Sequence, residues 1–275
     1  MDVYEKTKRL SDMDFKQIIG VKRNTFNDMV QVLKEAYAEK HRKGGRPPKL
    51  SIEAQLIMTL KYLRQYPTQL ELAYEFEVGE ATVHDTIVWV ENTLVKDDKF
   101  KLPGKKVLLE ENNIEVILVD VTESPIERPK KNKEGTIRVK RNATIKSQVI
   151  VDKATGFILC VAQCCGKTHD FKLFCDTIGS RIAKRIPVLT DSGYQGIKKF
   201  HANSKTPIKK TKGGVLSSFD KQENLSISRN RILIENINAK IKVFKIMADK
   251  YRNRRSRHDL RLNLICGCIN ADSRI

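Results

Sequence analysis

No stretch of the chain approaches the roughly 18 consecutive apolar residues of a membrane-spanning helix, and its opening, MDVYEKTKRL, holds no apolar signal region. A membrane location is therefore not expected, and the protein is placed in the cytoplasm. Acids are scarce beside bases: 33 Asp and Glu face 52 Lys and Arg, a net charge of +19. That imbalance points to a polyanionic partner, with nucleic acid ahead of a membrane surface. The six cysteines include no CxxC pair and the five histidines are scattered. Both patterns argue against zinc and for small core thiols in a reducing compartment. No Ser-His-Asp or Cys-His arrangement stands out. What is present is 40% hydrophobic content over 275 residues, enough for a real core and for two domains.

Residues 11–39 read as an amphipathic helix, with Phe26, Met29, Val30, Leu33 and Tyr37 at three- and four-residue intervals. A basic arm follows over residues 40–49, where glycines and prolines break the helix while Lys40, Arg42, Lys43, Arg46 and Lys49 accumulate. The arm suits a solvated linker. It also suits a segment lying along DNA: Arg46-Pro47 resembles the minor-groove core of AT-hook motifs, without the arginine those carry before the glycine. Lys43, Arg46 and Lys49 are its candidate DNA contacts.

Ser51 then caps a helix carrying Ile52, Leu56, Leu60 and Leu63, and Thr68 with Glu71 makes a capping box for a second helix running to about Glu77. After the turn at Val78-Gly79-Glu80, a third helix buries Val83, Ile87, Val90 and Leu94. Residues 51–95 thus form an all-α helix-turn-helix, a motif whose second helix enters the major groove in DNA-binding versions. The face at the start of the third helix offers Glu80, Thr82, Asp85 and Thr86 but no Lys or Arg. Guanine readout by arginine is excluded there, and carboxylates repel phosphates. The module stays open between DNA contact, with Thr82 as its candidate, and a structural or dimer-forming role.

A lysine-rich passage over 97–113, containing Pro103-Gly104, marks a domain boundary and divides 1–110 from 111–275. Beyond it, strands are expected over 114–119, 145–151 and 157–163, the last two joined by a DKATG hairpin turn. A helix over 170–183, a strand over 186–190, a weak edge strand over 206–209 and a long helix over 228–248 complete a mixed α/β order. Asp120 and Asp191 each end an apolar run, so neighbouring strands would deliver both carboxylates to one edge of the sheet. Taken alone, either acid reads equally as a turn or capping residue. The long helix has an apolar seam of Ile234, Ile237, Ile241, Phe244 and Ala248, and Glu235 borders it on a polar stripe with Arg231, Asn238, Lys242 and Lys245. Three converging carboxylates repel unless cations neutralise them, and hard oxygen ligands suit Mg²⁺. Two such ions about 3.5–4 Å apart drive in-line phosphoryl displacement without a side-chain nucleophile.

These acids sit in a series of motifs: Asp120-Val121-Thr122-Glu123 with Pro125 to Pro129, HDFKLF at His169, DSGYQG at Asp191, and Arg231 to Asn236 leading to YRNRR at Tyr251. Together they closely resemble bacterial insertion-sequence transposases of the DDE superfamily, over nearly the whole chain. The resemblance implies an RNase H-like catalytic domain with Asp120, Asp191 and Glu235 as catalytic and metal-binding residues, and two Mg²⁺ (or Mn²⁺) ions as the cofactor, with no small-molecule cofactor. It also implies cleavage at terminal inverted repeats, joining of 3′-hydroxyl ends to target DNA, and a homo-oligomer working on paired double-stranded ends. The segment Lys245 to Arg261, with seven Lys or Arg against two Asp, would grip phosphates. Lys140, Arg141, His169, Tyr194, Lys242, Arg252, Arg254 and Arg255 complete the candidate DNA contacts; His169 reads equally as a helix-start residue, and Tyr194 reads as a packing tyrosine in a turn ahead of a platform for a frayed end base. Relatives usually carry glycine where Val121 stands, and a histidine where Ala143 follows the basic residues. Two further readings stay open beside the transposase: a non-catalytic DNA-binding protein derived from one, and a host nuclease on the same fold.

Overall fold

The structure, a computed structural model, describes residues 3–45, 47–109, 114–127, 143–210 and 214–274. Arg46, Lys140 and Arg141 lie outside the described residues. The chain forms two compact units, and neither is a single stretch of sequence: Met1–Lys101 with Lys240–Asp249 and Asn253–Ile275, and Leu102–Ala239 with Lys250–Arg252. A single cut near residue 110 does not describe this division, because the C-terminal segments belong with the N-terminal helices.

The first unit is helical. The expected helix over 11–39 is two, α2 (Asp12–Ile19) and α3 (Arg23–Lys40), preceded by the short α1 (Val3–Lys8). Gly20 makes the break: it is left-handed at φ 98°, and a Cβ there would stand 2.9 Å from the Phe244 ring. Then α4 (Ile52–Gln65), α5 (Gln69–Glu75) and α6 (Glu80–Leu94) form the helix-turn-helix. The Thr68–Glu71 capping box is present with both hydrogen bonds, and Val83, Ile87, Val90 and Leu94 are buried as their spacing predicts. Thr86, expected on the exposed face of α6, is buried instead.

In the second unit, β1 (Ile117–Pro125), β2 (Thr144–Asp152) and β3 (Ile158–Cys165) run as an antiparallel meander. The hairpin turn forms as expected, with the Asp152 carboxylate accepting from the Thr155 hydroxyl at 2.6 Å and Gly156 at φ 71°. After α7 (Asp170–Thr177), β4 (Val188–Leu189) pairs parallel to β1 and β5 (Ser204–Lys205) parallel to β4. The sheet order is β3-β2-β1-β4-β5, the mixed α/β arrangement expected of an RNase H-like domain. Its core gathers Ile117, Val119, Ile150, Leu173, Phe174, Ile186 and Val188.

Several boundaries move. The strand expected to stop at residue 119 continues to Pro125 with β2 as its partner throughout. The helix expected over 170–183 stops at Thr177, and the edge strand lies at Ser204–Lys205 instead of 206–209. The long helix α8 spans Ser218–Val243. It starts ten residues early, because its first turns are polar and carry no apolar period. It ends at Phe244, whose extended backbone precedes α9 (Lys245–Ala248). The Val243 carbonyl is taken by Arg64 Nη1 at 2.6 Å.

The C-terminal stretch is α10 (His258–Ser273), buried around Leu262, Leu264, Ile265, Cys266 and Cys268. It docks through charge as well as apolar surface. Glu91 of α6 is fully buried, its carboxylate held by Arg257 at 2.6 Å and Arg261 at 2.7 Å. Two of the seven basic residues expected to grip phosphates are thus committed to the interior. The cysteines are all free, and burial pushes the Cys160 thiol up to about 12. Cys165, however, is exposed and not a core residue.

Candidate active site

Asp120 lies inside β1, opposite Val149, and not at a strand end. Its placement follows from the neighbour on the other side. The two-residue β4 pairs only with Ile117 and Leu118 of β1. Past Leu118, β1 therefore has no β4 partner, and a carboxylate can project at that notch. In the parallel register, Ile117 to Val188 and Leu118 to Leu189, Asp120 and Asp191 each follow the last pair by two residues. The two negative charges indeed act on each other.

Asp191 leaves β4 through Thr190 and caps a short 3-10 turn, its Oδ1 accepting from the Gly193 amide at 2.9 Å. The capping role and a place at the sheet edge are thus the same geometry and not alternatives. The third acid comes from α8. Ile234, Ile237 and Ile241 are buried as the seam requires, while Arg231, Glu235 and Asn238 share a flank of that seam at spacings of four and three. Arg231 Nη2 stands 3.6 Å from Asp120 Oδ1 and 3.7 Å from Glu235 Oε1. The Asn238 amide donates to Asp120 Oδ2 at 2.9 Å.

The electrostatics follow from burial. Asp120 is the enclosed member, its side chain 16% exposed against 58% for Glu235. Burial pushes the Asp120 carboxyl above its ordinary value. Asp191 and Glu235 push it the same way, against the opposing pull of Arg231 and of the backbone hydrogen bond at Val121. Arg231 therefore stands in the place where added positive charge is most needed.

Among the described residues, no group of three His, Cys, Asp or Glu side chains is arranged to hold a metal as it stands. The chemistry of the donor set fits a hard divalent cation all the same. Arg231 stands between the carboxylates of Asp120 and Glu235, the Asp191 charge also acts on Asp120, and Asn238 Oδ1 is a buried oxygen with no hydrogen-bond partner.

Two residues of this site, Arg231 and Asn238, are not among the sequence-predicted set. The signal for them is their spacing from Glu235, four residues before and three after. The other predicted contacts disperse. Lys43, Lys49, Thr82, His169, Arg252, Arg254 and Arg255 are exposed, with His169 also capping α7 by accepting from the Phe171 amide. Lys242 is half-buried and donates to the Met247 carbonyl at 3.0 Å, across the break between α8 and α9. For Tyr194 the packing reading holds and the DNA contact has to be corrected. It is 1% exposed, packs edge-on to Phe174, and its hydroxyl accepts from Gln148 Nε2 at 2.7 Å. Burial raises its phenol far above the ordinary value, and a ring so enclosed offers no face to a base.

The comparisons with known proteins identify the family. A family model described as DDE superfamily endonuclease matches residues 119–270, which span all three acids. A model described as the helix-turn-helix of DDE superfamily endonuclease matches residues 48–97. Over 268 residues the chain is 43% identical to a Microchaete diplosiphon protein described as a probable transposase for insertion sequence element IS702, covering 97% of this chain and 96% of that one. No solved structure matches. A family model over more than half of the chain, together with a relative aligned along nearly its full length, shows that the chain belongs to the insertion-sequence transposases of the DDE superfamily.

Proposed function

We propose that the protein binds the terminal inverted repeats of its insertion sequence, cleaves DNA there in a metal-dependent reaction, and joins the freed 3′-hydroxyl ends to target DNA. The observation that supports this reading is that the Asp191 and Glu235 charges both act on the Asp120 carboxyl, with Arg231 standing between Asp120 and Glu235. These three acids would hold two divalent ions, Mg²⁺ in the first instance and Mn²⁺ as a substitute. The chemistry supplied by ions held there would be activation of a water or a 3′-hydroxyl and stabilisation of the leaving oxygen.

The chain's own residues supply the rest. Asn238 orients the Asp120 carboxylate through its amide. Arg231 offsets the repulsion among the acids before any ion is bound. Lys43, Lys49, Arg252, Arg254 and Arg255 present exposed cations to phosphates, with His169 beside them as a weaker candidate. Arg46, Lys140 and Arg141 are proposed for the same role from sequence alone. Two copies on paired ends would bring both cleavage sites together.

Asp191→Asn tests the catalytic assignment. The variant keeps a hydrogen-bonding oxygen for the Gly193 amide and loses the ligand charge. Cleavage of an inverted-repeat duplex in Mg²⁺ should fall by about 10³-fold, corresponding to several kcal/mol of lost charge stabilisation, while duplex affinity in a gel-shift titration stays within about 2-fold. Undiminished cleavage would remove Asp191 from the chemistry.

A further inference from the structure

In a chain of net charge +19, residues 68–94 contain no lysine or arginine and six acids. Three of these are answered within their unit: Glu71 closes the capping box, Glu75 accepts from Lys61 at 2.6 Å, and Glu91 is held by two arginines. Glu77, Glu80 and Asp85 remain exposed. Between α5 and the start of α6 lies a concavity of about 730 Å³, with Leu70, Ala73, Tyr74 and Val78 among its walls and Glu77 and Glu80 beside them. Leu70 is 63% exposed and Tyr74 88%. Large apolar side chains so open, rimmed by charge, mark an interaction surface.

The charge selects the occupant. Phosphates are repelled by the two carboxylates, and the same face of a second copy would set Glu77 and Glu80 against themselves. The complement is in the chain's own arm. Residues 40–49 carry five cations and no acid, and within them the prolines of Pro47-Pro48 have φ fixed in the extended polyproline range. Segments of that kind dock into aromatic-lined grooves as preformed ligands, and the acids beside the groove match the arm's arginines and lysines. Among the described residues of the arm, Lys49, which donates to the Glu77 carbonyl, lines the groove of its own chain, and Arg42 and Lys43 are exposed.

We propose that the concavity between α5 and α6 receives the basic, proline-containing arm of a second copy, exchanged reciprocally, so that this part of the helix-turn-helix serves assembly. The inference deepens the reading that copies associate, and it is independent of the catalytic one. The arm's five cations would then be divided between the partner's acids and DNA, Arg254 and Arg255 contacting phosphates in either case.

The test uses the full chain and a fluorescein-labelled peptide of residues 40–50. Anisotropy should show saturable, salt-sensitive binding, lost on Glu77→Lys with Glu80→Lys and weakened about 10-fold by Tyr74→Ala. By light scattering, excess peptide should convert the wild-type dimer to monomer. The acid reversals, and separately Arg42→Glu with Lys43→Glu, should do the same while leaving the far-ultraviolet circular dichroism spectrum unchanged, and combining both sets should restore the dimer. A multimer unaffected by peptide or by either reversal would leave association standing and remove the groove from it. A monomeric wild-type chain would overturn both. Loss of duplex binding in Tyr74→Ala with peptide binding unchanged would assign the face to DNA and overturn the proposal.

Discussion

The two units hold carboxylates in opposite ways. In the helical unit each buried or bridging acid is answered locally: Glu71 by a helix start, Glu75 by Lys61, Glu91 by two arginines that enclose it. At the edge of the sheet, two of the acids, Asp120 and Glu235, share a single guanidinium, and Asp120 has its carboxyl pushed upward by burial. Satisfied acids hold a fold together. Under-compensated acids that converge store unfavourable charge, which persists only where the surrounding structure imposes it and which a bound cation would relieve.

The largest effect that would break this contrast lies in the helical unit. Arg261→Ala leaves the fully buried Glu91 with Arg257 alone, and denaturant unfolding should register a loss of about 3 kcal/mol. The exposed Lys61–Glu75 pair serves as the control, since Lys61→Ala should cost at most about 1 kcal/mol. Equal losses would mean that enclosure does not distinguish the two acids.

Asp120→Asn should move stability the other way. Because burial raises the Asp120 pKa, the folded chain binds that proton more tightly than the unfolded chain does. The associated stabilisation is complete below the ordinary value of 3.8 and is lost as pH rises through the raised one. At pH 7 the charged carboxylate is therefore a net burden. In EDTA the asparagine variant should melt above wild type, by about 2–4 °C for each kcal/mol relieved. Added Mg²⁺ should raise the melting temperature of wild type and not of the variant. A variant that melts lower in EDTA would show that Arg231 already compensates Asp120 in full.

The smallest effect expected concerns Tyr194. Tyr194→Phe leaves the buried Gln148 amide without its acceptor, at a cost of about 1 kcal/mol, and should leave duplex affinity unchanged. A selective loss of affinity would return the ring to the DNA.

Much of this was legible from residue order. The capping box, the glycine turn and the apolar stripe of α6 specify the helix-turn-helix by local chemistry, and apolar runs locate every strand near the acids. What escaped reading has physical causes. The helix α10 is buried on nearly all sides, so its sequence shows no single apolar stripe. Polar residues after Asp120 made β1 look finished, although a strand whose partner continues can carry polar side chains where β4 is absent. Tyr194 looked like a turn residue because its enclosure depends on Phe174 and Gln148, which are distant in sequence. The three acids could be named, but their register and the guanidinium between them are properties of the assembled sheet and helix.

The brevity of β4 has a consequence for timing. The spacing of Asp120 and Asp191 rests on two bridged residue pairs, steadied by the Ile117 amide donating to the Pro187 carbonyl at 3.0 Å and the Val188 amide to that of Asn203 at 2.9 Å. A local opening of so few bonds would part the acids while the nine-residue meander stayed closed. The lifetime of an intact site is therefore set by the breathing of one short strand, and the rest of the sheet can be far more durable than the chemistry it supports.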